Sequence, residues 1–382
     1  MGSESDDAAD DLLDEMFNSM YHLEHEVNVS TDNCYILHMD SSRISRNKMA
    51  VSLSDHTCAV YDIERVEKME HLSGHTAPVS NVKFSPLDDS LVYSSSYDGT
   101  VKLWDLRLKI KCVKEFKDDS EGTKNLKPLS DFDISCNGNF ICGGTELIDD
   151  DAFILFWDAR SSKLLGGYWE SHVDDITQVH FHPEKQDVLA TGSTDGLINI
   201  FDVSKPSEEE AILYSLNTES SVEKLKWLPA ESKTDVLSCI THTQDLQLWQ
   251  SDGAAPFLQF NRETVGSISQ MKRNTGCYIV DVHSMATPGD MMMLVGNTAQ
   301  QVQCLRTLTL LKKKLQPLSD LTGNKQIVRA SCYNSQSGIL VTGGEAGILS
   351  VWKPQSYADN DTASALKIES KKILKLHRKK PY

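Results

Sequence analysis

Residues 74 to 105, GHTAPVSNVKFSPLDDSLVYSSSYDGTVKLWD, limit the fold of this chain more than any other stretch. Val82 and Phe84 alternate with Asn81 and Lys83, and Leu91-Val92-Tyr93 makes a second short run. An Asp98-Gly99 turn then leads into Thr100-Val101-Lys102-Leu103-Trp104. A period of two with Gly and Asp punctuation predicts three short antiparallel strands. One sheet of that size cannot bury both of its faces, so the stretch predicts copies of itself. A copy is easy to find: Trp104 follows His75 by 29 residues, and Phe201 follows His172 by the same 29.

The remaining units are weaker. A first runs through Cys34 to Met39, Met49 to Leu53 and Ala59 to Asp62, with Tyr61-Asp62 where the second unit has Trp104-Asp105. A third takes Phe132 to Ser135, Phe140 to Thr145 and Phe153 to Asp158, with an enlarged acidic turn, Glu146-Leu147-Ile148-Asp149-Asp150-Asp151. The fourth begins at Ser171 and closes at Phe201-Asp202, and the fifth spans Ser221 to Trp249. The sixth is thinnest, with strands expected at Cys277 to His283, Met292 to Gly296 and Val302 to Leu305. A seventh runs from Val328 to Trp352. Unit ends at Asp62, Asp105, Asp158, Asp202, Gln250, about Arg306 and Lys353 give seven repeats.

The Gly74-His75 start and Trp104-Asp105 end resemble the blade signature of WD-repeat propellers. The strings GGTELIDDDAFILFWDAR, SHVDDITQVHFHP and TGGEAGILSVWKP carry that resemblance furthest. It covers about residues 22 to 353 and implies an all-β, seven-bladed WD-repeat β-propeller. It further implies that His75, Ser94, Asp98 and Trp104 form a buried chain of hydrogen bonds, with His172, Thr191 and Asp195 as its counterpart in the fourth unit. These seven residues are therefore expected to be structural, not catalytic. A ring needs its last sheet closed; a strand near 22 to 29 is expected to do it, the alternative being Ala365-Leu366-Lys367-Ile368.

Chemistry-bearing motifs are missing. The sequence has no Gly-x-Ser-x-Gly, no P-loop, no His-Glu-x-x-His and no Cys-x-x-Cys. The Asp run lacks the alternating spacing of a calcium loop. His180 and His182 share a strand face, but a third metal ligand at matching spacing is not evident. No enzyme activity, cofactor or metal is expected. The resemblance implies instead a rigid platform for other proteins or peptides. In such propellers the turn between second and third strands and the loop leading into each blade share one rim. Glu146, Asp149, Asp150, Asp151, Asp174 and Asp175 would then gather there as a contact for a basic peptide.

The chain's ends differ in charge. Residues 1 to 21 form an acidic leader with apolar residues at helical spacing, and residues 354 to 382 form a basic tail with Lys371, Lys372, Lys375, Arg378, Lys379 and Lys380. A net charge of −17 argues against nucleic-acid binding by the surface at large, leaving only the tail for a nuclear or RNA-associated role. No apolar run reaches the roughly 18 residues of a membrane span. Nine scattered cysteines behind a leader with no secretory pattern read as free thiols of an intracellular protein, cytoplasmic or nuclear, expected as a monomer.

Overall fold

The computed structural model describes residues 17, 20–29, 34–45, 47–108, 112–120, 126–229, 234–270, 276–287, 289–298 and 304–355. Seven four-stranded antiparallel sheets account for nearly all of them. Blade 1 holds β2 (Ile36–Ser41), β3 (Lys48–Leu53), β4 (Cys58–Asp62) and β5 (Glu67–Leu72). Blade 2 holds β6 (Val79–Phe84), β7 (Leu91–Ser96), β8 (Thr100–Asp105) and β9 (Cys112–Lys117). Blade 3 holds β10 (Leu129–Ile134), β11 (Phe140–Thr145), β12 (Ile154–Asp158) and β13 (Leu164–Tyr168). Blade 4 holds β14 (Ile176–Phe181), β15 (Val188–Ser193), β16 (Leu197–Asp202) and β17 (Ile212–Asn217). Blade 5 holds β18 (Val222–Leu228), β19 (Val236–Thr241), β20 (Leu246–Gln250) and β21 (Leu258–Phe260). Blade 6 holds β22 (Cys277–Ser284), β23 (Met291–Asn297), β24 (Leu305–Leu311) and β25 (Lys314–Asp320). Blade 7 is built from both ends of the chain: β26 (Val328–Tyr333), β27 (Leu340–Gly344) and β28 (Ile348–Pro354), then β1 (Tyr21–Asn28) as its outer strand. Two short helices, α1 (Glu208–Ala211) and α2 (Arg262–Ile268), sit on connections in blade 4 and between blades 5 and 6.

The apolar alternation seen in the sequence is what packs the blades together. Tyr93, Val101, Leu103 and Phe116 of blade 2 meet Leu129, Phe132, Ile141, Leu155 and Trp157 of blade 3 in one buried cluster. Blades 1 and 7 share another, through Ile36, Met49, Val51, Val341, Leu349 and Val351. Each sheet thus hides both faces against its neighbours, which a single unit could not do. The sharp turn before β8 depends on Gly99, whose φ is +80° and where a Cβ would lie 2.5 Å from Leu126 Cβ.

Every first strand has an irregularity at the equivalent place. Register shifts fall between Ile36 and His38, Val79 and Asn81, Leu129 and Asp131, Ile176 and Gln178, Val222 and Lys224, Ile279 and Asp281, and Val328 and Ala330. A bulge adds twist and re-aims the side chains beyond it. The first strands lie beside one another as the inner ring.

The sixth blade differs from expectation. Its third strand is Leu305–Leu311, not Val302 to Leu305. The alternation that buries Leu308 and Leu310 against Leu315 continues through Leu311, and Lys312 and Lys313 then turn the chain with φ of 50° and 64°. That turn normally uses Asn-Gly, so two lysines give no hairpin signal. Of the leader, Phe17 is buried under the Arg306 guanidinium, 4.7 Å from its ring, and the Met20 N–H donates to Ser319 Oγ at 3.2 Å. The rest of the acidic leader, the alternative closing segment 365–368 and the basic residues from Lys371 to Lys380 lie outside the described residues.

Candidate functional site

The hydrogen-bond chain of blade 2 runs from strand to strand without a gap. Trp104 Nε1 donates to Ser94 Oγ at 2.8 Å, Ser94 Oγ donates to His75 Nε2 at 2.8 Å, and His75 Nδ1 donates to Asp98 Oδ2 at 2.8 Å. Asp98 also accepts from the Thr76 N–H at 3.1 Å and, through Oδ1, from the Thr100 N–H at 3.0 Å. A carboxylate can take this many donors, while an indole offers only one. Burial would raise the Asp98 pKa, but the bonds from His75 and Thr100 outweigh it and hold the carboxyl well below its usual range. Blade 4 repeats the pattern with His172 on Thr191 Oγ1 at 2.7 Å and on Asp195 Oδ2 at 3.0 Å. Phe201 has no donor, and Asn199 Nδ2 occupies the space, donating to the Ser171 carbonyl at 2.6 Å. In blade 3, Gly143 stands where the hydroxyl should be, and Trp157 Nε1 reaches the Lys117 carbonyl at 2.9 Å.

These chains fix the loops of one rim, where the acidic residues are found. Ile148 and Asp151 exchange backbone bonds of 2.8 and 3.0 Å, closing a two-residue turn on Asp149 and Asp150 with φ of 52° and 75°. Asp tolerates that left-handed geometry better than most residues. The Leu147 N–H donates to Asp175 Oδ1 at 2.7 Å, which clips the blade 3 turn to the loop leading into blade 4. Asp174 Oδ1 accepts from the Asp175 N–H at 2.8 Å. Asp149, Asp150 and Asp151 are exposed, whereas Glu146, Asp174 and Asp175 are half-buried. Tyr97 of the blade 2 turn joins them: burial first, then the charges of Glu146, Asp175 and Asp131, push its phenol pKa up. Leu147 and Val173 stand exposed beside the carboxylates, Val173 at 75%.

The opposite edge carries carboxylates too, and several of them have a cation. Asp105 pairs with Arg107 at 2.7 Å, Asp158 with Arg160 at 3.0 Å, Asp202 with Lys205 at 3.5 Å and Asp235 with Lys185 at 2.5 Å. Among the described residues, none of the six rim carboxylates has an ionic partner of this kind.

A second set of polar residues, not singled out in the sequence, lines the central channel. Beyond the bulge, six of the seven first strands carry polar residues two apart: His38 and Asp40, Asn81 and Lys83, Asp131 and Asp133, Gln178 and His180, Lys224 and Lys226, and Asp281 and His283. The signal was available as polar pairs at i and i+2 inside apolar strands. They bridge blades. Lys83 meets Asp133 at 2.9 Å, Lys226 meets Asp281 at 2.6 Å, and Lys224 Nζ donates to the Val280 carbonyl at 2.6 Å and, across the channel, to the Arg329 carbonyl at 3.3 Å. Asp40, Asp131 and Asp133 accept the Phe84, Val179 and Phe181 N–H groups of the next blade, each at 2.8 Å. Burial pushes His38 and His283 down to about 4 and His180 to about 3, so these imidazoles are neutral near pH 7. His182 turns elsewhere, onto Trp227 and Asp235. No group of three or more His, Cys, Asp or Glu among the described residues is placed to hold a metal ion.

Burial raises the carboxyl pKa of both Asp40 and Asp131. Burial, only partly offset by Lys83 and Asn81, pushes that of Asp131 up to about 6. Between about pH 4 and pH 6 the unfolded chain has lost this proton and the folded one keeps it, so stability should fall as pH rises through that window, by on the order of 3 kcal/mol. Asp131→Asn removes the titration. The melting-temperature difference between variant and wild type is expected to grow in the variant's favour from pH 4.5 to pH 7; a constant difference would refute the assignment.

The geometry is matched by comparison with known proteins. The family model described as WD domain, G-beta repeat, matches residues 66–105 and 164–202, the blades holding the two His–hydroxyl–Asp chains. Over 367 residues the chain is 29% identical to WD repeat-containing protein GTS1 of Arabidopsis thaliana, covering 89% of this chain and 88% of that one. The chain is a seven-bladed propeller that carries WD repeats. It is also 26% identical over 242 residues to the WD repeat-containing protein 89 homolog of Dictyostelium discoideum, covering 63% of this chain and 62% of the other. Similarity over 222 residues, at 26% identity, extends to GATOR2 complex protein WDR24 of Danio rerio, and covers 57% of this chain but 27% of that protein. WD-repeat propellers generally act as protein-interaction scaffolds, typically without catalysis. No helix among the described residues is long and apolar enough to cross a membrane.

Proposed function

We propose that this WD-repeat propeller scaffolds a protein assembly and takes a basic segment of a partner on the acidic rim of blades 3 and 4. One observation carries the reading: six carboxylates stand at this rim with no ionic partner among the described residues, while Asp105, Asp158, Asp202 and Asp235 of the opposite edge are paired with Arg or Lys. A guanidinium or ammonium arriving there would form charge-assisted bonds with groups that have no competing partner. Leu147 and Val173 supply apolar contact at the same place. A scaffold within a complex is in keeping with the relative named as a GATOR2 complex protein.

The test uses an arginine-rich peptide labelled with fluorescein and titrated with the full chain. Asp149→Asn, Asp150→Asn and Asp151→Asn are combined, because Asn keeps the left-handed turn and removes only charge. Affinity should fall about tenfold or more in the triple variant, the loss of roughly 1.4 kcal/mol of charge pairing, and should weaken as salt rises. The melting curve should stay where it was. Equal peptide affinity for both proteins would retire the rim as the docking face.

A further inference from the structure

A second concavity lies at the seam of the ring, on the edge away from the acidic rim. It occupies about 280 Å³ between blades 7 and 1. Met49, Ile63, Ile339 and Val341 give it an aliphatic floor, and Asn47, Glu64 and Cys332 stand among its polar walls. Asn47 Oδ1 is buried and accepts no hydrogen bond among the described residues. An orphaned acceptor of this kind is unfavourable unless a donor reaches it. The pocket is therefore apolar below and short of one N–H above.

The chain leaves the propeller beside this pocket. Pro354 ends β28 and packs on Gly338, within the loop from Asn334 to Ile339 that forms one wall. The sequence continues for 27 residues, to Tyr382. Within them, Ala365-Leu366-Lys367-Ile368 is an alternating apolar segment, and β1 already closes the sheet it would otherwise have closed. Leu366 lies eleven steps along the chain from Gln355, an extended reach of roughly 36 Å.

We propose that this segment docks in the seam pocket. The match is one of chemistry: Leu366 and Ile368 alternate with Lys367, as an aliphatic floor beside Glu64 requires, and any extended segment brings main-chain N–H groups that Asn47 Oδ1 can accept from. The contact is independent of the rim proposed above, and it gives the end of the chain a seat on the ring.

Cys332 reports on occupancy, because it lines the pocket and a docked segment would cover it. Maleimide labelling of the full chain, resolved residue by residue by mass spectrometry, is compared with a chain ending at residue 355 and with Leu366→Asp/Ile368→Asp. A flexible tether supplies an effective concentration on the order of 1 mM, and a contact with a dissociation constant on the order of 0.1 mM would then slow labelling about tenfold. Both altered chains are expected to lose that protection at Cys332, with Cys136 labelled at the same rate in all three. A peptide of residues 363–370 added to the shortened chain should restore it. Equal Cys332 rates in the three chains, protection that survives Leu366→Asp/Ile368→Asp, or a peptide without effect would each overturn the proposal.

Discussion

A chain that begins at residue 30 is expected to lose on the order of 10 °C of melting temperature and to self-associate. The deletion removes β1, which pairs with β28 from Tyr21↔Pro354 to Asn28↔Ile348. Tyr21 packs in one cluster with Trp352 and Leu340, Leu23 lies against the same cluster, and Val27 and Val29 belong to the seam between blades 7 and 1. Their loss withdraws about 5 kcal/mol of apolar burial. At roughly 2 °C or more per kcal/mol for a large domain, that gives the expected shift. The exposed N–H and C=O groups of β28 then form an open edge, on which a second chain can add a strand. Calorimetry and size-exclusion chromatography read the two effects. An unchanged melting temperature would mean that another segment, such as 365–368, closes the sheet equally well.

The second large effect is expected at Asp98. Asp98→Ala leaves the His75 imidazole, the Thr76 N–H and the Thr100 N–H without their acceptor, all near the rim of blade 2. The His75 and Asp98 side chains are 2% and 8% exposed, so these donors are orphaned out of reach of bulk water, at about 1–3 kcal/mol each for those that find no other acceptor. Ser94→Ala, which removes the middle of the chain, should cost about 1–3 kcal/mol by orphaning Trp104 Nε1. The pH dependence carries its own sign. Asp98 has its carboxyl held below the usual range, so its contribution is complete above about pH 4 and is lost as pH falls further. That is opposite to Asp131, whose ionisation is resisted. Denaturant titration of Asp98→Ala should show the largest deficit near neutrality and a shrinking one in acid; a pH-independent deficit would place the effect in packing alone.

How much could be read in advance depended on which strand was being read. Third strands ending in Trp104-Asp105, Trp157-Asp158 or Trp352 announced themselves, because a buried indole and a turn-capping carboxylate are both required there. Outer strands did not. β5 and β9 expose much of their surface, as Glu67-Lys68-Met69 and Val113-Glu115-Lys117 show, and so lack the alternation that marks a half-buried strand. Blade 6 was misjudged because its hairpin turns on Lys312-Lys313, with no residue type that prefers positive φ. At the rim, the acidic run was plain in the sequence, but the clip from Leu147 to Asp175 was not, since a backbone donor leaves no mark on residue type. The channel pairs went unread for a different reason. Each looks like ordinary polar alternation in its own strand, and only the ring brings Lys83 to Asp133 and Lys226 to Asp281.

Because β1 belongs to the last blade, its partner strand is made more than 300 residues after it. At 5–20 residues per second of synthesis, about 15–65 s pass before β28 exists. Throughout that interval Tyr21 and Leu23 lack Trp352 and Leu340, and Val27 lacks its blade 7 neighbours, although the six blades between can assemble in order as they emerge. Blade 7 thus cannot be completed until β28 has been made, and until then the amino-terminal strand has an unpaired edge.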